Sequence, residues 1–220
     1  MASATDCVIV GAGVVGLAAA LRLRAAGVAV TIVDRGEPGR ESSWAAAGIL
    51  APQVEAHGPG ALFDLLRVSC RLWPGFATEL HERVGIDVGY RDEGTLVVAQ
   101  DEAEAAQLDA RCAWQTRAGL PLQRLAPHEI REREPSLAAT IAGVWLPDDR
   151  QLDNRALVCA LVAAAQAAHV QFVRAEVRGV RVDEGEPRVL GVDLDGKFLA
   201  SAHVVVAAGA WSGALAGVSL

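Results

Sequence analysis

The stretch that most constrains the fold is CVIVGAGVVGLAAAL, residues 7–21, an apolar run interrupted by three glycines. Taken alone, it fits the core of a signal peptide, part of a membrane span, or a strand, turn and helix that hold a dinucleotide. The flank MASATD contains Asp6 and neither Lys nor Arg, which argues against a signal peptide. The run is also shorter than the roughly 20 residues that span a bilayer. The dinucleotide interpretation is therefore favoured.

The three glycines have the spacing Gly11-x-Gly13-x-x-Gly16. They follow a short apolar strand, and the last of them lies in the first turn of a helix predicted at about 14–26. In this motif the first glycine permits a tight turn and the second lets the backbone approach a pyrophosphate. The third lets the helix pack closely on the strand. The N-terminus of the helix presents free N–H groups and a partial positive charge to the phosphates. We therefore predict that Gly11, Gly13 and Gly16 bind a cofactor.

An acidic residue ends the second predicted strand, 28–33. Asp34 lies eighteen residues after Gly16, close to the offset expected for the acid that binds a ribose hydroxyl. A carboxylate at this position disfavours a 2′-phosphate, and hence NADP. The motif itself is compatible with both NAD and FAD.

The segment GEPGRESSWAAAGILAPQ, residues 36–53, is rich in small and hydroxyl-bearing residues. Ser42 and Ser43 are suited to capping a helix or to contacting a phosphate or ribitol. The small residues 45–48 would let the backbone pass close to a flat ring. On pattern alone, a capped helix start with small residues for packing explains the segment equally well.

Composition excludes several classes of protein. Hydrophobic residues make up 52% of the chain and charged residues 21%, which indicates a folded core. The net charge is −7 and no basic run occurs, so we expect no nucleic-acid partner. We also expect no membrane segment, no metal site and a cytoplasmic location. The four cysteines form no CxxC pair, and reduced thiols are favoured over two disulfides.

The chain resembles glycine oxidases and their relatives in the D-amino acid oxidase and sarcosine oxidase superfamily. The matching pieces occur in the family's order, from near residue 6 to the end of the chain. They are VIVGAGVVGLAAALRL, TIVDRG, SSWAAAGILAP, GTLVVA, LPDDRQLDNRALVCAL and HVVVAAGAWSGAL. The nearest resemblance is to glycine oxidases of the thiamine-pathway type. It implies FAD as the cofactor.

The resemblance further implies contacts along the whole cofactor. From the adenine end to the flavin, the implied residues are Val177 at the adenine, Asp34 and Arg35 at the adenosine ribose, Val14 and Val15 at the pyrophosphate, Ser42 and Ser43 at the phosphate and ribitol, Gly209 in a second glycine turn, and Ala47, Gly48 and Ile49 beside the isoalloxazine ring. From pattern alone, an ordinary strand residue at Val177 and an ordinary strand-end turn at Gly209 remain the less favoured alternatives. No catalytic residue is implied in this chain.

The implied fold is α/β, a Rossmann-like FAD-binding domain with part of a second, antiparallel α+β substrate domain. The chain would be C-terminally truncated relative to the family, whose later portion supplies the substrate-binding arginine. We expect the FAD-binding domain in 1–85 and 151–220, and the partial substrate domain in 86–150. Within these ranges, we predict a hairpin at 189–200 and a buried parallel strand at the apolar run HVVVAAGAW.

The implied function is FAD-dependent oxidative deamination of glycine, another small amine or a D-amino acid. The products would be an oxo acid, ammonia and hydrogen peroxide, and the setting would be thiamine (thiazole) biosynthesis. The expected partners are a small amino acid or amine and molecular oxygen, with a homo-oligomer left open. The alternatives are a D-amino acid dehydrogenase, a sarcosine or hydroxy-acid oxidase, a NAD-binding dehydrogenase domain, and an inactive nucleotide-binding fragment.

Overall fold

The computed structural model describes residues 5–186 and 188–218. Residues 1–4 of the flank MASATD, and the last two residues of the predicted range 151–220, lie outside this part. In chain order, the elements are β1 (Cys7–Val10), α1 (Val14–Ala25), β2 (Val30–Asp34), α2 (Ser42–Ala45), β3 (Ile49–Leu50), α3 (Pro52–Glu55), α4 (Ala61–Val84), β4 (Thr95–Ala99), α5 (Glu102–Arg117), β5 (Gln123–Leu125), α6 (Pro127–Arg133), β6 (Ala142–Leu146), β7 (Arg150–Gln151), α7 (Asn154–Ala167), β8 (Gln171–Arg174), β9 (Val177–Val182), β10 (Val189–Leu194), β11 (Lys197–Ala200), β12 (His203–Val206) and a 3₁₀ turn (Gly209–Ala214).

The described chain divides into two compact units. The first comprises 5–47, 79–88 and 154–218, and the second comprises 48–78 and 89–153. These units differ from the predicted domain ranges mainly because residues 48–78 group with the middle of the chain. The local reason is that β3 pairs antiparallel with β7, which holds the start of this segment inside the second unit.

The first unit is built on a four-stranded parallel sheet with the strand order β12-β1-β2-β8. Every residue of β1 is buried, as is every residue of β2 before Asp34. Helix α1 packs against β2 and against α7. Apolar strands with neighbours on both sides are typical of parallel sheets. The predicted α/β fold with its strand, glycine turn and helix is confirmed.

Strand β12 is parallel to β1, as predicted, with His203 opposite Cys7 and Val206 opposite Val10. Its predicted burial is wrong, because its three valines are half-buried and His203 is exposed. The reason is position: β12 is the last strand in the order of this sheet and has only β1 beside it there. An apolar run therefore identified the strand but not its place in the sheet.

An antiparallel three-stranded sheet, β11-β10-β9, completes the first unit. The predicted hairpin is present between β10 and β11, and Gly196 in its turn has φ +68°. A core cluster that includes Val8, Val33, Val177 and Val192 packs this sheet against the parallel sheet. This packing brings the start of β9 next to the carboxyl ends of β1 and β2.

The second unit is antiparallel. Its main sheet has the order β4-β6-β5, and helix α5 packs on it through a core that includes Leu108, Cys112 and Val144. Helix α5 begins at a side-chain cap, where the Asp101 carboxylate accepts a hydrogen bond from the N–H of Glu104. Helix α4 continues through Pro74, although proline breaks or kinks many helices. The expected antiparallel α+β character of the middle section is thus observed.

Three further observations concern the thiols, metals and membranes. All four cysteines lie in the described residues, and each is a free thiol. Burial raises the pKa of the Cys7, Cys70 and Cys112 thiols, which makes them less reactive at neutral pH. Within residues 5–186 and 188–218, no group of three or more His, Cys, Asp or Glu side chains is placed to hold a metal ion. The helices of that same part include none long and apolar enough to cross a membrane.

Candidate functional site

A cavity of about 680 Å³ lies at the carboxyl ends of the parallel strands of the first unit. Its wall includes Val10 at the end of β1, Asp34 at the end of β2 and Val206 at the end of β12. Ligands of open α/β sheets bind at this edge, outside the carboxyl ends of the strands. Ten of the residues predicted to bind the cofactor line the cavity: Gly11, Gly13, Val14, Val15, Asp34, Arg35, Ser42, Ser43, Val177 and Gly209.

Two of the three glycines are required by close backbone contacts. Gly11 has φ +106°, and a Cβ there would overlap the carbonyl group of Ala207, just after β12. A Cβ at Gly16 would overlap the carbonyl oxygen of Gly11, so Gly16 lets α1 pack against the turn that precedes it. Gly16 is buried and does not line the cavity. These contacts fit the turn and packing roles that the motif predicts.

The N-terminus of α1 faces this cavity with unused donors. The N–H of Val14 donates to the Ser43 hydroxyl oxygen at 3.1 Å, so that donor is already paired. Within the described part of the chain, the N–H groups of Val15 and Gly16 have no acceptor. The Val15 side chain is 67% exposed at the cavity wall. Free N–H groups at a helix N-terminus favour an anionic ligand.

Ser43 is held in place by α7. The side-chain amide of Asn154, the first residue of that helix, donates to the carbonyl oxygens of Ser43 and Trp44, both at 2.9 Å. Trp44 lies on the same short helix as Ser43, and the Arg40 guanidinium lies 3.8 Å from the centre of the Trp44 ring. Ser43 thus reaches α1 from a firmly fixed backbone. Ser42 is exposed at the cavity wall.

Asp34 closes the glycine turn while facing the cavity. One carboxylate oxygen accepts from the N–H of Ala12 at 2.7 Å, and the other accepts from the N–H of Gly36 at 2.8 Å. The side chain is half-buried. Each carboxylate oxygen has a second lone pair, so Asp34 can still accept hydrogen bonds from a ligand.

The outer wall also contains Glu41 and Trp211, which both contact the predicted residue Arg35. The Arg35 guanidinium lies 4.1 Å from the centre of the Trp211 ring and forms an ion pair with Glu41 at 2.9 Å. Trp211 is 40% exposed and belongs to the 3₁₀ turn that Gly209 begins with φ +55°. Trp211 lies two residues after the predicted Gly209, within HVVVAAGAWSGAL, one of the motifs that carry the family resemblance.

The remaining predicted residues lie elsewhere. Ala47 follows α2 and is exposed, and Gly48 and Ile49 begin the second unit. Gly48 has φ +74°, and its carbonyl oxygen accepts from the N–H of Leu152 at 2.9 Å. Ile49 is 59% exposed. None of these three is among the residues that line the cavity of the first unit. Their predicted role beside a flavin stays a prediction.

Comparison with known proteins now gives the family. Residues 6–220 match the family model described as DAO, FAD dependent oxidoreductase. Glycine oxidase of Geobacillus kaustophilus (strain HTA426) is 38% identical over 98% of this chain and 58% of its own length. The bifunctional protein ThiO/ThiG of Trichormus variabilis is 32% identical over 96% of this chain and 32% of its own length.

A solved structure agrees. The crystal structure of glycine oxidase from Geobacillus kaustophilus superposes with a TM-score of 0.91 at 35% identity, covering 98% of this chain and 59% of that one. The chain therefore spans less than two thirds of the length of these relatives. The match nevertheless covers nearly all of the residues of this chain. The chain belongs to the DAO family of FAD-dependent oxidoreductases.

Proposed function

We propose that the cavity of the first unit holds the adenosine diphosphate half of FAD. Asp34 would accept a hydrogen bond from the ribose, and the free N–H group of Val15 would face the pyrophosphate. The exposed apolar surface of Val15 and Trp211 supports this assignment, because a bound nucleotide would remove it from water. Val177, Gly209, Arg35, Ser42 and Ser43 would complete the wall.

The segment Ala47–Ile49 would lie beside the isoalloxazine ring. Support comes from the small side chain of Ala47, the left-handed backbone of Gly48 and the exposed side chain of Ile49. A backbone without bulky side chains can approach a flat ring closely, and an exposed apolar side chain can pack against it. Flavin contact would therefore come from a different segment than nucleotide contact.

The reaction we propose for the whole protein is oxidative deamination of glycine or another small amine or D-amino acid. The similarity to glycine oxidase over 98% of the chain carries this proposal. Bound FAD supplies the two-electron acceptor chemistry. Overall, one molecule each of glycine, oxygen and water would give one molecule each of the oxo acid, ammonia and hydrogen peroxide. The ThiO/ThiG relative supports a role in making the thiazole of thiamine.

The first experiment asks whether the 220-residue chain carries flavin. Purified protein should show flavin absorbance bands, and a colourless protein that binds NAD instead would contradict the proposal. Asp34→Asn should weaken FAD binding about tenfold, because one acceptor for the ribose is lost. Asp6→Asn is the matched control, since Asp6 also accepts from a backbone N–H, that of Ala29 at 2.8 Å, but does not line the cavity.

The second experiment separates the flavin-dependent alternatives. Peroxide formation is measured with glycine, sarcosine, D-alanine and a small hydroxy acid, with oxygen uptake and dye reduction followed in parallel. Oxidation of glycine with stoichiometric oxygen uptake is the expected result. Dye reduction without oxygen uptake would identify a dehydrogenase instead. Flavin binding without any turnover would identify a nucleotide-binding fragment.

A further inference from the structure

A buried carboxylate in the second unit binds the backbone of the segment that follows Ile49. Asp149 is 0% exposed, and its two carboxylate oxygens accept from the N–H groups of Gln53 at 3.0 Å and Val54 at 3.1 Å. The neighbouring Arg150 guanidinium donates to the carbonyl oxygens of Pro147 and Asp149 instead of pairing with this carboxylate. The carboxylate of Asp149 therefore serves the backbone of residues 53 and 54.

The side chain of Gln53 fixes the same point from another direction. Gln53 is 2% exposed, and its amide nitrogen donates to the Gln115 side-chain oxygen at 3.0 Å and to the Pro121 carbonyl oxygen at 3.1 Å. The Gln115 amide in turn donates to the Gln53 carbonyl oxygen at 2.8 Å. Buried polar groups that are fully paired hold a single arrangement, because any shift would leave one of them unpaired.

The other end of this segment is bound by the residues that follow Asp149. Strand β3 pairs with β7, Ile49 opposite Gln151 and Leu50 opposite Arg150. The N–H of Leu152 donates to the Gly48 carbonyl oxygen at 2.9 Å. The short stretch 149–152 thus contacts residues 48–54 at both ends. We name residues 48–54 the flavin-side segment, following the proposed role of Gly48 and Ile49.

The identity of residue 149 follows from what it must accept. Pro52 has no N–H, so Gln53 and Val54 carry the first two backbone donors of α3. Gln53 is buried and Val54 half-buried, so both donors are satisfied best by a protein acceptor. A carboxylate offers two acceptor oxygens, whereas an amide of the same size offers one oxygen and one conflicting donor. The pattern therefore requires aspartate at this position.

We propose that Asp149 is a positioning residue that fixes the backbone of the flavin-side segment and so sets the contact of Gly48 and Ile49 with the isoalloxazine ring. This inference rests on the proposed function, which assigns that contact. It assigns to Asp149 no contact with substrate or cofactor. Its effect should reach the flavin ring and spare the adenosine end, because Asp34 and the α1 N-terminus belong to a different unit.

The experiment uses the 220-residue chain with Asp149→Ala, Asp149→Asn and the control Asp148→Asn, whose side chain is the exposed neighbour. FAD and ADP are titrated separately, and the visible spectrum of bound flavin is recorded. Amide hydrogen exchange is followed at Gln53 and Val54. Asp149→Asn keeps the side-chain size, so it remains informative where Asp149→Ala does not fold.

The expected result is a split between the two ligands. Both Asp149 variants should bind ADP like the wild type, bind FAD about fivefold or more weakly, and shift the flavin spectrum. Exchange at Gln53 and Val54 should accelerate at least about tenfold, because their acceptor is lost or halved. Asp148→Asn should match the wild type in every measurement.

Two contrary results distinguish failure of the Asp149 positioning role from failure of the proposed FAD binding. Unchanged FAD affinity and spectrum in both Asp149 variants would overturn the positioning role, as would equal losses for FAD and ADP. A wild-type chain that binds no FAD would refute the proposed function and, with it, the flavin contact assigned to this segment. The exchange rates would then still decide whether Asp149 fixes the segment, since unchanged rates at Gln53 and Val54 exclude it.

Discussion

Two aspartates of this chain bind backbone N–H groups in the same way but in opposite surroundings. Asp34 is half-buried on a cavity wall and accepts from Ala12 and Gly36. Asp149 is fully buried and accepts from Gln53 and Val54. The first carboxylate can close a turn and still offer lone pairs to a ligand. The second is committed to the backbone, and water cannot replace it.

Among the residues at the cavity, Gly11 should give the largest effect when it is substituted. Gly11→Ala would combine strain at φ +106° with overlap on the Ala207 carbonyl group. We expect a loss of about 3 kcal/mol or more in the free energy of unfolding, together with loss of FAD binding. Gly27→Ala is the matched control, because Gly27 also has positive φ, at +84°, but a Cβ there would meet no neighbouring atom within 4 Å. Urea unfolding measures both, and equal losses would contradict the overlap argument.

Removing each carboxylate tests the contrast directly. Asp149→Ala leaves the buried N–H of Gln53 and the half-buried N–H of Val54 unpaired, which should lower the free energy of unfolding by about 2–4 kcal/mol at neutral pH. Asp34→Ala should cost about 1 kcal/mol, because water can reach the donors that it leaves. Chemical denaturation of the two variants, side by side, gives the comparison. A larger loss for Asp34→Ala would show that the cavity side is the more rigid of the two.

The buried carboxylate should also make stability depend on pH. Burial raises the pKa of Asp149 from 3.8 to about 6, against the opposing effects of the Gln53 and Val54 N–H groups and of Arg150, while Asp148 adds slightly to the rise. The folded protein therefore takes up a proton at a pH where the unfolded chain is still ionised. Stability from this group should increase as pH falls from about 7 to about 4, by up to about 3 kcal/mol.

Asp149→Asn isolates this dependence because its side chain does not titrate. Unfolding free energies of the wild type and the variant are measured across that pH range. As the pH falls, the free energy of unfolding of the wild type should increase relative to that of the variant. A constant difference would mean that Asp149 titrates near its ordinary value despite its burial.

The smallest expected effect is at Ser43. Ser43→Ala removes the acceptor of the Val14 N–H, which a bound ligand or water can partly replace. We expect a loss of about 0.5–1 kcal/mol in stability and a few-fold weakening of FAD binding. Ser136→Ala is the control, since Ser136 is exposed and does not line the cavity. Isothermal titration with FAD separates the variants, and identical affinities would remove Ser43 from the phosphate end.

The local parts of this fold could be predicted from the sequence because short-range rules determine them. The glycine spacing gives the turn between β1 and α1, and Asp195–Gly196 gives the turn of the last hairpin. Asp34 could be placed on the cavity wall because its offset from Gly16 reflects one helix and one strand. The family resemblance added Val177 and Gly209, which pattern alone left ambiguous.

The rest depends on contacts between distant residues. The edge position of β12 follows from which strands pair, and an apolar run carries no information about its neighbours. The role of Asp149 depends on Gln53, nearly a hundred residues earlier, and an aspartate in a turn is usually a solvated residue. Residues 48–78 likewise group with the second unit because β3 pairs with β7. Each of these strands has only two residues, and they lie about a hundred residues apart in the sequence.

The close approach of Gly11 to Ala207 has a consequence for the order of synthesis. The cavity wall joins residues near the beginning of the chain to Val206, Gly209 and Trp211 near its end. A ribosome has therefore made almost two hundred further residues before the glycine turn meets its partner. Long-range closure of this kind is slow relative to local folding. A cofactor that needs both ends must enter late, and so its binding reports that the first unit has been completed.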